Sequence, residues 1–240
     1  MERLLIFTSD PHDDWRTLVW KLTQQYKIEK ADVVITGDCG WYSFSKTKYY
    51  EDLYRKLEPK LEKSDINLYL LRGNHDNPEV FNTENPRRYP RLKFIPDHKV
   101  FELHGLKIYP IGGSVSIDRE WRQNYNSLKE KVGSEKRVWW EGEKIVKKYK
   151  DLPNRVDIII SHDCPLCFEP VITRESWMSD TIYEDALTER RYLNYVFQNV
   201  NCKYWFYGHY HTSLTSSLEG VVYKCLDIME LYELKYKGGN

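Results

Sequence analysis

Five short segments of this chain carry side chains that bind metals, and they follow one another as Ser9-Asp10-Pro11-His12, Gly37-Asp38, Gly73-Asn74-His75-Asp76, Ser161-His162-Asp163 and Gly208-His209-Tyr210-His211. Five of the seven histidines fall within them, while His98 and His104 lie outside and read as structural or surface groups. Each segment sits just beyond a short apolar run that reads as a β-strand, and strand ends are where an α/β sheet presents its chemistry. Asp10 with His12, and His209 with His211, stand two positions apart, a spacing that in extended chain puts both side chains on one side. Taken singly, Asp-x-His or Gly-His-x-His is more often a turn with a solvated or core histidine. Their conjunction reads instead as a dinuclear metal site. Gly73 and Gly208 precede candidate ligands, where a sharp turn would aim side chains into a site.

The succession D-x-H, G-D, G-N-H-D, S-H and G-H-x-H resembles that of the calcineurin-like metallophosphoesterases, and the resemblance runs from Asp10 to His211. It implies a four-layer α/β/β/α sandwich of two mixed sheets, with the metals at the edge where both sheets end. Carried over position by position, it implies one metal on Asp10, His12, Asp38 and His211. A second would take Asp38, Asn74, His162 and His209, with Asp38 as the bridge. His75 would face the phosphoryl group or leaving oxygen without binding metal. Two divalent ions bring four positive charges, and Asp10 and Asp38 return two, because Asn74 and the histidines bind as neutral groups. A net positive hole remains for a phosphate ester. The nucleophile implied is metal-bound hydroxide, since paired metals acidify a shared water and hold the ester oxygens. Imidazole, carboxylate and amide ligation suits manganese, iron, zinc, cobalt or nickel and leaves the choice among them open.

No nucleophilic cysteine is needed, so Cys39, Cys164 and Cys167 have no expected catalytic role, and Cys164-Pro165-Leu166-Cys167 reads as accidental C-x-x-C spacing. Five cysteines at irregular spacing argue for reduced thiols in a cytoplasmic protein. The apolar run within Met1 to Phe7 is too short for a signal peptide or membrane span. Lysine plus arginine (36) equals aspartate plus glutamate (36), so no global basic field favours long nucleic acids. Arg87, Arg88, Arg91 and Lys93 read as a solvated loop.

These groups need a scaffold. Leu4 to Ser9, Val33 to Thr36, Asn67 to Leu71, Val156 to Ile160 and Tyr204 to Tyr207 read as strands, the first three separated by helices over Asp14 to Tyr26, with Asp13 or Asp14 as cap, and Lys46 to Lys63. Lys99 to Leu103 and Lys107 to Ile111 read as a hairpin. Further helices are expected over Glu135 to Lys150 and Tyr183 to Asn199. Leu214 to Leu234 reads as antiparallel strands turning near Glu219-Gly220. One domain is expected over residues 1–236, with a frayed tail at 237–240.

Two departures bear on the branch of the family. Protein phosphatases of this superfamily usually carry an aspartate three positions after the bridging one, and here Trp41 stands there. They also tend to have glutamate where this chain has Asp76, which leaves open what orients His75. A second, less specific resemblance, to small bacterial and phage metallophosphoesterases, covers Gly112 to Arg122 and Trp139-Trp140-Glu141. Within it Arg122, and less so Arg119, is a candidate phosphate clamp, against surface pairing with Asp118 or Glu120. Trp139 and Trp140 offer base stacking, though on a helix at least one would pack into the body. Asn77 to Pro96 and Cys164 to Asp180 are the connections expected to carry specificity, the latter as a lid or an oligomer contact. The expectation is a metal-dependent phosphoesterase acting on a small phosphorylated substrate, foremost a nucleotide-like phosphodiester. Phosphomonoesters or phosphoproteins come next, then nucleic acid, and an interaction scaffold is the non-enzymatic alternative, which would predict broken motifs.

Overall fold

The computed structural model describes residues 3–41, 47–81, 89–134 and 136–236. Arg87, Arg88 and the 237–240 tail lie outside the described residues. Alternation of side chains along the strands builds the layers. β1 (Leu4–Thr8), β2 (Ala31–Ile35), β3 (Ile66–Leu70) and β4 (Leu92–Phe94) pair in parallel, and the short β11 (Tyr232–Glu233) flanks β1 antiparallel, giving the order β11-β1-β2-β3-β4. The second sheet combines β5 (Phe101–Leu103), β6 (Leu106–Ile111), β7 (Ile158–Ser161), β8 (Tyr204–Tyr207), β9 (Leu214–Leu218) and β10 (Val221–Cys225) in the order β5-β6-β7-β8-β10-β9. Its central strands run parallel, while the hairpins β5-β6 and β9-β10 are antiparallel.

Leu5 and Phe7 of β1 and Ile158 and Ile160 of β7 enter one shared cluster between the sheets, where Phe7 and Phe206 stack with ring centroids 3.9 Å apart. The intervening residues point the other way: Ile6 packs with Trp15 and Leu18 of α1 (Trp15–Trp20) and Leu57 and Leu61 of α2 (Thr47–Lys63). Ile159 packs against Tyr192, Leu193 and Val196 of α5 (Asp180–Asn199). Two mixed sheets face each other with helices outside, an α/β/β/α sandwich. Among the described residues no helix is long and apolar enough to cross a membrane.

Local signals set the helix starts. Asp14 accepts from the Thr17 amide at 3.2 Å and caps α1, which after Trp20 widens into a looser turn over Lys21–Gln25. Ser179 accepts from the Ile182 amide and caps α5. The stretch from Asn77, expected as a connection, contains the single turn α3 (Pro78–Phe81) and ends in β4.

One expected helix is corrected. Residues 136–150 hold no helix beyond the single turn Glu141–Glu143, and the helix of this region is α4 (Arg119–Lys131). The reason lies in buried Arg72, just after β3. Its Nη1 donates to the carbonyls of Gly142 (3.2 Å) and Glu143 (3.0 Å), and its Nη2 to that of Lys144 (3.0 Å). These carbonyls are thereby taken from any helical ladder. α4 buries none of its residues: its apolar positions Trp121, Tyr125 and Leu128 recur at helical spacing, but Trp121 and Leu128 stay exposed.

Candidate metal centre

The five sequence motifs meet at one edge of the two sheets, each on the loop that leaves a strand: β1 leads to Asp10 and His12, β2 to Asp38, β3 to Asn74 and His75, β7 to His162, and β8 to His209 and His211. Asp10, His12, Asp38, His209 and His211 all have positive φ, of 55°, 46°, 50°, 70° and 47°. The paired spacing therefore works differently from the expectation. Asp10 with His12 and His209 with His211 converge from left-handed turns rather than from one face of extended chain. Such conformations are costly for non-glycine residues and persist where the surroundings hold them. Here the Asp10, His12 and Asp13 amides donate across to the carbonyls of Gly37, Asp38 and Cys39.

The glycines serve close approach rather than turn geometry. Gly73 and Gly208 lie outside the left-handed region; a Cβ on Gly73 would fall 2.2 Å from Asp38 Oδ1, and one on Gly208 1.8 Å from Ser9 Oγ and 2.3 Å from Asp10 Oδ2.

Among the described residues three overlapping groups of donors form: two outer ones, and between them His12, Asp38 and His75. In the first outer group, His12 Nε2 and His211 Nε2 are 2.9 Å apart and lie 3.8 and 3.5 Å from Asp10 Oδ1, a buried oxygen that accepts no hydrogen bond from the described residues. Donors bound to one ion at roughly 2.0–2.2 Å are spaced about 3 to 3.5 Å from one another, so this cluster can hold a cation with little rearrangement. In the second, His162 Nε2 is 3.2 Å from Asp38 Oδ1 and 3.1 Å from Asn74 Oδ1, and His209 lies within reach of the same point. Asp38 stands between the groups, its Oδ2 3.9 Å from His12 Nδ1. Burial opposes ionisation of Asp38, but His162, His75 and His12 outweigh it and hold the carboxyl well below its usual range.

Outer contacts prepare these donors. His162 Nδ1 lies 3.0 Å from the Thr36 carbonyl oxygen and donates there, which aims Nε2 at Asn74 and Asp38, the nitrogen a metal would take in place of a proton. Asn74 Nδ2 donates to Ser116 Oγ at 2.9 Å, which turns its carbonyl toward His162, and Ser116 Oγ in turn donates to buried Glu143 at 2.6 Å. Ser114 Oγ is 3.4 Å from His209 Nε2 and 3.3 Å from Asp163, which also accepts from Tyr210 Oη at 2.5 Å. Asp76 points away from His75. Its carboxylate accepts from the amides of Cys39 (3.0 Å), Gly40 (2.7 Å) and Gly73 (2.7 Å), tying the Asp38 loop to the Asn74 loop. Ser114, Ser116 and Asp76 lay inside stretches singled out by sequence; nothing local marked Glu143.

Arg122, on α4, meets His75. Its Nη1 and Nη2 lie 3.0 and 2.7 Å from the ring nitrogens, while its Nε donates to Asp118 at 2.5 Å. Burial lowers the His75 pKa to about 4, Asp38 opposing and Arg122 reinforcing the shift, so the ring is neutral at pH 7. Arg119 is elsewhere, donating to Asp185 of α5 at 2.8 Å, and does not line the cavity over the metal groups. Trp41 is core, edge-on to Trp15 and Tyr89. Trp139 and Trp140 are not helical; they line a separate groove with Asn77 and Arg137. His98 bonds Tyr109 and the Val146 carbonyl, and His104 pairs with Asp32, both structural roles. Cys164 is buried against Arg190 and Cys167 is exposed, with no disulfide.

A cavity of about 490 Å³ opens over the site, lined by Asp38, Asn74, His75, His209 and His211 together with residues of the 170–178 segment. The protein is similar in structure to TT1561 of Thermus thermophilus (12% identity, 97% of this chain and 98% of that chain, TM-score 0.47). A phosphopantetheinyl hydrolase of Mycobacterium tuberculosis (13%, 97% and 96%, TM-score 0.41) and a dimetal phosphatase of Danio rerio (10%, 95% and 88%, TM-score 0.45) are also similar. No curated protein matches the sequence. The family model described as calcineurin-like phosphoesterase matches residues 4–213, a span that contains every motif and donor above. The chain therefore belongs to the calcineurin-like phosphoesterase family and is a metal-dependent phosphoesterase.

Proposed function

We propose that this enzyme holds two divalent transition-metal ions, of manganese, iron, zinc, cobalt or nickel, and hydrolyses a small nucleotide-like phosphodiester. Asp10, His12, Asp38 and His211 would hold one ion and Asp38, Asn74, His162 and His209 the other. The observation that supports this reading is the pair of donor groups Asp10-His12-His211 and Asp38-His162-His209 beneath one cavity, linked by Asp38 and His12, which also fall in one group. Bound ions of this kind acidify a water at neutral pH and supply positive charge to phosphoryl oxygens.

The chain's own residues do the rest. Asp38 turns one oxygen to each donor group, and its Oδ1 also accepts from the His75 amide at 2.9 Å, which fixes the backbone of that catalytic candidate. His75 lines the cavity as a neutral ring; one ring nitrogen can accept from Arg122, and release of the other from the guanidinium would free an N–H for a phosphoryl or leaving oxygen. Arg122, already paired with Asp118, keeps His75 in place and presents the remaining face of its guanidinium to the cavity. The equal count of acidic and basic residues supports a compact ester over long nucleic acid. Trp41 in the core leaves out the orienting carboxylate of the protein phosphatases, which supports a diester over a phosphoprotein. We further propose a cytoplasmic protein with one catalytic unit over residues 1–236.

Elemental analysis after loading with manganese, iron or zinc is expected to find two ions per chain; no more than one at saturation overturns the dinuclear reading. With the same metal and ionic strength, bis-p-nitrophenyl phosphate is expected to show a higher kcat/KM than a phosphopeptide or duplex DNA. A clear phosphopeptide preference makes the enzyme a phosphoprotein phosphatase, and salt-sensitive degradation of DNA makes it a nuclease.

A further inference from the structure

The cavity over the metal groups is lined by two unlike sets of residues. Beside the donors its lining holds Ile117, Val171, Ile172, Trp177 and Met178, and three of these are open for apolar groups: Ile117 is 37%, Trp177 60% and Val171 71% exposed. Single exposed apolar residues need no explanation, but several gathered in the lining of a catalytic cavity mark a binding surface. The wall is anchored. Met178 is buried with Val115, Ile182 and Ala186, with Ile172 packed against that cluster. The chain leading into it is held by buried Arg190, which donates to the carbonyls of Pro165 (3.0 Å), Phe168 (2.8 Å) and Pro170 (2.8 Å).

Charge excludes one class of occupant. Among the described residues that line the cavity, Arg122 is the one lysine or arginine, and it is engaged with Asp118; Asp118 and Glu175 line the same space as carboxylates. A second phosphoryl group, or an acidic peptide around the phosphoryl group, would meet apolar carbon and negative charge there. A volume of about 490 Å³ takes a phosphoryl group and one ring system.

Resting on the diesterase reading above, we infer that the wall formed by Ile117, Val171 and Trp177 is a specificity subsite for an uncharged planar aromatic group on the ester that stays on phosphorus through hydrolysis, stacked on the Trp177 indole. Trp177 is thus a specificity residue rather than a catalytic one. Polyphosphates and esters of small alcohols are the poor substrates.

The test uses the metal-loaded enzyme and two diesters with one leaving group, phenyl p-nitrophenyl phosphate and methyl p-nitrophenyl phosphate, each corrected for its uncatalysed rate. The wild type is expected to favour the phenyl ester in kcat/KM by about 10-fold or more, the scale of one aromatic stacking contact. Trp177→Ala is expected to bring that ratio to about 3 or less while leaving the methyl ester within about 2-fold, and Trp177→Phe to restore it. Trp20→Ala, on α1, serves as the surface control and leaves the ratio unchanged. A wild-type ratio below about 3, or an equal loss on both esters in Trp177→Ala, overturns the inference. Calorimetric binding of phenylphosphonate and methylphosphonate separates the two readings. Tighter binding of phenylphosphonate that is lost in Trp177→Ala, without turnover of either diester, upholds the subsite and removes the diesterase reading. Turnover of both diesters with no phenyl preference does the reverse.

Discussion

Arg72→Met tests how the fold reaches the site. Arg72 is fully buried, and its Nε donates to Asp97 at 2.7 Å while its two terminal nitrogens hold the carbonyls of residues 142–144. Methionine fills much of the same volume, but among the described residues it leaves the Asp97 carboxylate with the Gly112 amide alone, 2.9 Å away, and takes the guanidinium from three carbonyls, of which that of Glu143 keeps the Ser114 amide at 3.1 Å. Removing one partner of a buried ion pair costs about 3–5 kcal/mol. For a chain of this length that corresponds to a fall in Tm of roughly 6–20 °C. The loss should reach the metal groups, because the released segment carries Glu143, which holds Ser116, which orients Asn74. Metal affinity is therefore expected to fall by about 10-fold or more, the scale seen for outer-shell changes. Arg72→Lys retains a charge near Asp97 but loses the fork, and should fall between the two proteins. Thermal unfolding of the metal-loaded proteins, with metal affinity by competition against a chelator, makes the comparison. An Arg72→Met protein within about 1 kcal/mol of the wild type, binding metal as tightly, would refute this chain of contacts.

Asp38→Asn is expected to lower metal occupancy and activity together, whereas His75→Asn should retain the metals and lower turnover by about 10²–10⁴-fold; elemental analysis beside steady-state rates distinguishes them, and emptying of the site in His75→Asn would show His75 to be a ligand. Gly208→Ala places a methyl group 1.8 Å from Ser9 Oγ and 2.3 Å from Asp10 Oδ2, so it should displace Asp10 and reduce bound metal, and full occupancy would show that the β1 loop yields easily. Glu189 is raised to about 8 by burial, with Asp163 and Glu143 adding to the shift. The folded state therefore keeps a proton that the unfolded chain releases near pH 4.5, and this group's contribution to stability falls as pH rises from about 4.5 to about 8. Glu189→Gln should remove that fall, gaining on the wild type by a few kcal/mol, on the order of 3–5, across the window. Parallel denaturant titrations at pH 5 and pH 8.5 would expose the error if the two proteins kept a constant difference.

Much of the site was legible in sequence because its signals are local. An apolar run, then a donor, then a tight turn can be read within a dozen residues, and β1, β2, β3, β7 and β8 each end at the motif expected there. The layer order follows from the same alternation, as Leu5 and Phe7 against Ile6 illustrates. What sequence left open depends on partners far along the chain. Asp76 turns from its neighbour His75 because three amides, two of them from the Cys39-Gly40 loop, await an acceptor. Arg119 and Arg122 look equivalent in sequence, but a three-residue step on α4 sends one to Asp185 and the other to His75. The expected helix over Glu135 to Lys150 gave way because Arg72, some 70 residues earlier, draws its carbonyls outward. Residue type and spacing state which groups can bind metal. Only the packed chain decides which lone pair, oxygen or guanidinium faces the cavity, since each orientation is set by a hydrogen-bond partner brought from another strand or loop.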